Sequence, residues 1–191
     1  MRSAGRAIGL VVCGTVLAAC GGLQTTPTAS DSLGPVTPAP QPGAFTCPTQ
    51  VLASSPLSSR LVGMQVTAED GFDRVAFEFG PSPADKPAEE SGLIVRPVGV
   101  VPQTDADGNP LTVDGQYFIE VRFRDMALTG ADGGTAFRGE TDVKRSAGSV
   151  KEVIQIEEDN LALDWLIGTT NECARAWFDA SANELLVDVQ H

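Results

Sequence analysis

From Leu61 to the end of the chain, apolar and polar residues alternate with a period of two, in short runs separated by turn residues. Val75, Phe77 and Phe79 alternate with Ala76 and Glu78, and Tyr117, Ile119, Val121 and Phe123 alternate with Phe118, Glu120, Arg122 and Arg124. Successive side chains of a strand point to opposite faces, so each run predicts a β-strand with one face buried. Similar runs lie at Leu61 to Val66, Leu93 to Val101, Val150 to Ile156, Leu161 to Ile167, Ala174 to Phe178 and Leu185 to Val189, making eight strands. Asp-Gly pairs at 70/71, 107/108, 114/115 and 132/133 predict tight turns between them, because glycine tolerates the positive φ that hairpins need. Ser149 to Asp159 competes as a helix, but its Val and Ile residues favour strand. The acidic run Glu157-Glu158-Asp159 is expected to be a solvated loop after that strand. Trp165 and Trp177 stand in apolar strand contexts and are expected in the core, with a sugar-stacking platform as the alternative. Together these features predict an all-β domain, a sandwich or a barrel.

The amino-terminal part reads differently. Arg2 and Arg6 precede an uncharged apolar run from Ala7 to Ala19, which as a helix would span about 20 Å, too short for a bilayer crossing. It predicts an export signal over residues 1–19. Its end, Leu17-Ala18-Ala19-Cys20, resembles the lipobox of bacterial lipoproteins, which implies acylation of Cys20 and cleavage before it. Two or three acyl chains hold a protein stably on a membrane where one is marginal. The expected site is therefore the outer side of a cell membrane. Gly21 to Gly43 holds five Pro, four Gly, four Thr and two Ser with Asp31 as its only charge, so it cannot build a core and predicts an extended tether. Residues 20–46 then form the lipidated terminus and linker, and residues 47–191 the domain.

Four cysteines separate by position. Cys13 lies in the signal and Cys20 at the lipobox, which leaves Cys47 and Cys173. Two remaining thiols in an exported protein predict a disulfide, here closing a loop of about 127 residues, with a pair of free buried thiols as the alternative.

Charge narrows the function. The chain carries 13 basic and 25 acidic residues, a net of −12, and only three lysines, which argues against nucleic acid as a partner. No glycine-rich phosphate loop, nucleophile elbow or zinc-binding helix pattern is present, and the only His is His191 at the carboxy terminus, where chains usually fray. Nothing calls for a cofactor or a catalytic role. Thr104 to Asn109 has oxygen ligands at alternate positions, but Pro110 follows and Gln116 stands where a calcium loop needs an acid, so a plain turn is expected.

Asp70-Gly71-Phe72-Asp73-Arg74-Val75-Ala76-Phe77-Glu78-Phe79, then Phe118-Ile119-Glu120-Val121-Arg122, and the ending Val187-Asp188-Val189-Gln190-His191 resemble the AMIN-like domain of actinobacterial secreted proteins and lipoproteins, over roughly residues 60 to 191. The resemblance implies a β-sandwich related to the AMIN domain, a module that directs some periplasmic amidases and secretins to the cell envelope through peptidoglycan. Members of that family often carry a His before the Asp-Gly turn, where this chain has Glu69. Two readings of the Phe72-Asp73-Arg74 segment stay open. In one, Phe72 offers a stacking face and Asp73 with Arg74 a polar pair, suited to sugar hydroxyls or a carboxylate. In the other, Phe72 caps the core, Asp73 bonds turn amides and Arg74 pairs with Asp73. The expected protein is a noncatalytic envelope-binding lipoprotein, with peptidoglycan or another wall glycan as partner, or else an envelope protein. A glycan module predicts an exposed groove lined by aromatic and amide or charged side chains. A protein-interaction factor predicts a broad apolar patch or an open sheet edge.

Overall fold

The computed structural model describes residues 42–191, apart from 55, 57, 102–103, 105–108, 131–132 and 160–161. The signal, Cys20 and nearly all of the linker lie outside the described residues, as does most of the Thr104 to Asn109 run.

Ten strands form among the described residues: β1 (Leu52–Ser54), β2 (Leu61–Glu69), β3 (Phe72–Phe79), β4 (Gly92–Val98), β5 (Tyr117–Arg124), β6 (Asp142–Lys144), β7 (Val150–Asp159), β8 (Ala162–Thr169), β9 (Ala174–Asp179) and β10 (Glu184–Gln190). All eight expected strands are there. Short β1 and β6 were not legible, because three residues cannot show a period. Sheet A has the order β2-β3-β10-β9 and sheet B the order β1-β4-β5-β8-β7-β6, with every pairing antiparallel. The domain is a β-sandwich.

The period-two pattern explains how the sheets meet. On β3, Asp73, Val75, Phe77 and Phe79 are buried and face inward, while Phe72, Arg74, Ala76 and Glu78 face outward and are half-buried. Inward residues of both sheets form one core, in which the Phe77 ring meets Phe123 and Trp165 edge-on at centroid distances of 5.5 and 5.6 Å. Such tilted contacts add to the area buried, because a positive ring edge meets a negative face.

Three expectations need correction. The Glu157-Glu158-Asp159 run is not a loop: β7 continues through it and pairs with β8, since cross-strand hydrogen bonding outweighs local charge. Asp70-Gly71 does turn β2 into β3, with Gly71 at φ 85°. Asp114-Gly115, however, does not close a hairpin: it ends the long β4–β5 connection, and a Cβ on Gly115 would lie 2.6 Å from the Thr169 amide nitrogen. Trp165 is in the core, whereas Trp177 is not; it is half-buried on the outer face of sheet A.

Before β1 the chain crosses from one sheet to the other as a strap. Thr46 bridges to Ala174 of β9, the Thr49 amide donates to the Glu172 carbonyl (3.2 Å), and β1 then joins β4. The Cys47–Cys173 disulfide, a bridge across 126 residues, holds this strap to sheet A. On the far side, the Arg138 amide and the Arg145 guanidinium donate to carbonyls of β2 at Val62 and Val66. Both outer strands of sheet A are thus partly covered, which protects exposed backbone from pairing with another chain.

Candidate functional site

The outer face of sheet A is ordered in rows by the strand register. One row is acidic: Glu78, Glu184 and Asp179 stand opposite one another on β3, β10 and β9. The next is apolar, with Ala76, Leu186 and Trp177, and beyond it come Thr67, Arg74, Asp188 and Arg175. Last come Glu69, Phe72 and Gln190. With strands about 4.8 Å apart and alternate residues about 6.8 Å apart, the three rows from Trp177 to Phe72 cover roughly 14 Å along the strands.

The third row is the chemical centre. Asp188 is fully buried beneath two guanidinium groups: Arg74 Nε donates to Oδ1 at 2.8 Å, and Arg175 donates to Oδ2 from Nε at 3.0 Å and from Nη2 at 2.8 Å. A buried carboxylate is tolerated only when paired and hydrogen-bonded, and here two cations share one anion. The Asp188 hydrogen bonds hold the Arg74 guanidinium above its ordinary pKa against the opposing effect of burial, so it stays charged. Aromatic rings wall the cations. Arg74 Cζ lies 5.2 Å from the ring centroids of both Phe72 and Trp177. Arg175 Cζ lies 4.3 Å from Phe45 and 5.3 Å from both Phe72 and Trp177. Each contact of this kind contributes about 0.5 to 2 kcal/mol, more as water is excluded. Phe45 comes from the strap, where the Gly43 carbonyl also accepts from Arg175 Nη1 at 3.2 Å.

Of the three binding residues expected from sequence, Phe72 and Arg74 share this face. Asp73 does not. It points to the other side of β3, fully buried, and neither pairs with Arg74 nor joins a polar site, because adjacent strand residues face opposite ways. Its Oδ2 accepts from the Val150 amide at 2.9 Å, and its Oδ1 lies 3.3 Å from His191 Nε2. The backbone of Gly148, at φ 83°, approaches so closely that a Cβ there would stand 2.2 Å from Asp73 Oδ2. His191 is correspondingly held rather than frayed: its amide donates to the Gly71 carbonyl at 3.0 Å. Phe72 likewise does not cap the core; it packs 6.1 Å from Phe45 on the outside.

Sequence reading does not reach Phe45, Arg175 or Asp188, and Trp177 takes the outward place that the sequence offers as the alternative to the core. Arg175 and Trp177 had a signal, since their two-residue spacing on a strand puts both on one face. Phe45 had none, because it belongs to the strap.

The acidic row lends itself to a stability test. Burial, then the neighbouring Glu78 and Asp179, hold the Glu184 carboxyl above its ordinary pKa, with Arg74 opposing. A carboxyl whose folded pKa is raised destabilises the fold above that pKa and has no effect below its unfolded value near 4.3. Glu184→Gln is therefore expected to stabilise the domain at pH 7 by about 0.5 kcal/mol, the scale of a like-charge cross-strand pair, and to be neutral near pH 3. Urea unfolding at the two pH values checks this.

On the outer face of sheet B, Arg96, Glu120, Arg122 and Asp164 alternate in sign across β4, β5 and β8 and neutralise one another. Where β4 ends and β5 begins, a cleft of about 440 Å³ opens beside the strap, lined by Pro48, Thr49, Pro97, Tyr117, Phe118 and Glu172 among others. Among the described residues no group of His, Cys, Asp and Glu side chains is arranged to hold a metal ion.

Fold and surface define a disulfide-closed β-sandwich with an arginine and aromatic face on its smaller sheet. The model of the AMIN-like domain matches residues 59–191, and the chain belongs to that family. No curated protein and no solved structure matches the chain.

Proposed function

We propose that the protein is a lipoprotein, anchored through acylated Cys20 on the outer side of the cell membrane, whose sandwich binds wall glycan without catalysis through the outer face of sheet A. The observation that carries this reading is the grouping of Phe45, Phe72 and Trp177 around Arg74 and Arg175 on one open sheet face. Sugar rings stack their C–H faces on aromatic side chains, while fixed guanidinium, amide and hydroxyl groups take their hydroxyls or an attached carboxylate. Thr67 and Gln190 extend the polar lining on either side of the arginines. The lipobox-like Leu17-Ala18-Ala19-Cys20 and the Pro-rich tether behind it support delivery of this face to the wall. Binding of a protein partner by strand addition finds little free edge on sheet A, where Thr46, Arg138 and Arg145 engage the outer strands.

The test is retention of the detergent-extracted full chain on purified peptidoglycan at low and high salt, beside Phe72→Ala and Trp177→Ala. Saturable, salt-tolerant retention is expected, weakened about tenfold by either variant with the fold kept, a loss of about 1.4 kcal/mol. No retention by the unaltered chain favours a protein partner instead. In the same cells, Cys20→Ser is expected to shift the chain from the membrane to the soluble fraction.

A further inference from the structure

The cleft at the β4–β5 end lies at the end of the sandwich, apart from the arginine face. Pro97 and Ile119, partners in the β4–β5 register, and Tyr117 have the inward parity of their strands, so apolar surface leads in between the sheets. Ile119 is buried, whereas Tyr117 is 43% exposed and Val100, one residue beyond the lining Gly99, is 80% exposed. These are two of three exposed large hydrophobic residues among the described ones. The polar lining comes from Thr49, Gln116 and Glu172.

Charge decides what this cleft can take. Among the described residues Glu172 is its only charged lining residue, and no Lys or Arg lines it. No ion pair engages Glu172 among the described residues. Its backbone is fixed all the same: its carbonyl accepts from the Thr49 amide (3.2 Å) and hydroxyl (3.1 Å), and the next residue is the disulfide-bonded Cys173. A cleft whose lining combines apolar surface, an aromatic ring and one exposed carboxylate, on an acidic protein, attracts cations and repels anions.

We propose that this cleft binds a primary ammonium on an aliphatic stem, as a lysine side chain of a partner peptide presents it. The methylenes lie against Pro97, Tyr117 and Ile119, and the ammonium stays at the rim, over the Tyr117 ring and against Glu172. Long cationic side chains bury their stems and keep the head wet in this way. The cleft volume falls within the ordinary range for small-ligand sites, ample for one such side chain with flanking backbone. The assignment stands apart from the glycan reading, since it uses neither the arginines nor the aromatic face of sheet A.

Tyr117 is the only tyrosine in the chain, so biosynthetic incorporation of fluorotyrosine gives a single fluorine resonance at the cleft. The experiment titrates the full chain in detergent with the blocked tripeptides Ala-Lys-Ala and Ala-norleucine-Ala, which differ by the charged tip, and with Ala-Glu-Ala. Expected is a saturable shift with the lysine peptide, half-complete on the order of 1 mM for so small a ligand, at least tenfold weaker with norleucine and absent with glutamate. Glu172→Gln, an exposed change that leaves the fold intact, is expected to remove the preference for lysine over norleucine. Equal response to lysine and norleucine, an unchanged preference in Glu172→Gln, or no shift with the lysine peptide overturns the assignment. Failure of peptidoglycan retention leaves this titration untouched, so the two readings fail separately.

Discussion

Replacing both Cys47 and Cys173 with alanine is expected to cost the domain about 4 to 5 kcal/mol, read as a fall in the urea midpoint and a drop of roughly 10 to 15 °C in melting temperature. The bridge spans 126 residues, nearly the whole domain, so its loss frees a very large loop in the unfolded chain. In the folded state it also releases the strap. Hydrogen bonds from Thr46, Thr49 and Arg175 then hold the strap without a covalent tie, and Phe45 is held less firmly over Arg175. Glycan retention is accordingly expected to fall even below the melting temperature. A variant that melts lower but binds unchanged would mean that Phe45 stays in place without the bridge.

The second large effect is expected at Asp188. Asp188→Ala removes the single buried carboxylate that pairs with both Arg74 and Arg175, leaving two partly buried cations without the hydrogen-bonded counter-charge they share. Breaking a buried pair from one side costs about 3 to 5 kcal/mol, because the remaining charge has lost both water and partner. Arg74→Ala is expected to cost clearly less, since Arg175 still pairs with Asp188 and Arg74 is more exposed than the carboxylate beneath it. Urea unfolding of the two variants side by side measures the asymmetry. Equal losses would show that Asp188 depends on both cations together.

Much of this was readable before any coordinates. The alternation along Phe72 to Phe79 and Tyr117 to Arg124 specified strands and their inward faces, because a side chain that alternates must bury one face or none. The same rule, applied one step further, separates Asp73 from Arg74, and pairing them within a polar site overlooked it. The Glu157 to Asp159 run illustrates the opposite failure: three acids suggest solvent, yet β8 offers them a hydrogen-bonded neighbour that no local pattern reveals. Apolar neighbours favour the core for Trp177, although an Arg two residues before it on the same face marks that face as the outer one.

By itself the sequence determined the all-β class and the inward faces of strands such as β3 and β5, which depend on residue type and spacing along one stretch of chain, and it pointed to the family and to the cysteine pair. Only the tertiary structure decided which side chains meet. Arg74 and Arg175 are separated by about 100 residues, and they share Asp188 because β10 lies between β3 and β9. Tyr117 and Glu172 line one cleft because β5 pairs with β8, which sets Tyr117 opposite Thr169, three residues before Glu172. Strand order is set by global packing of the two sheets, which local propensity does not encode, and the order is what assembles both surfaces.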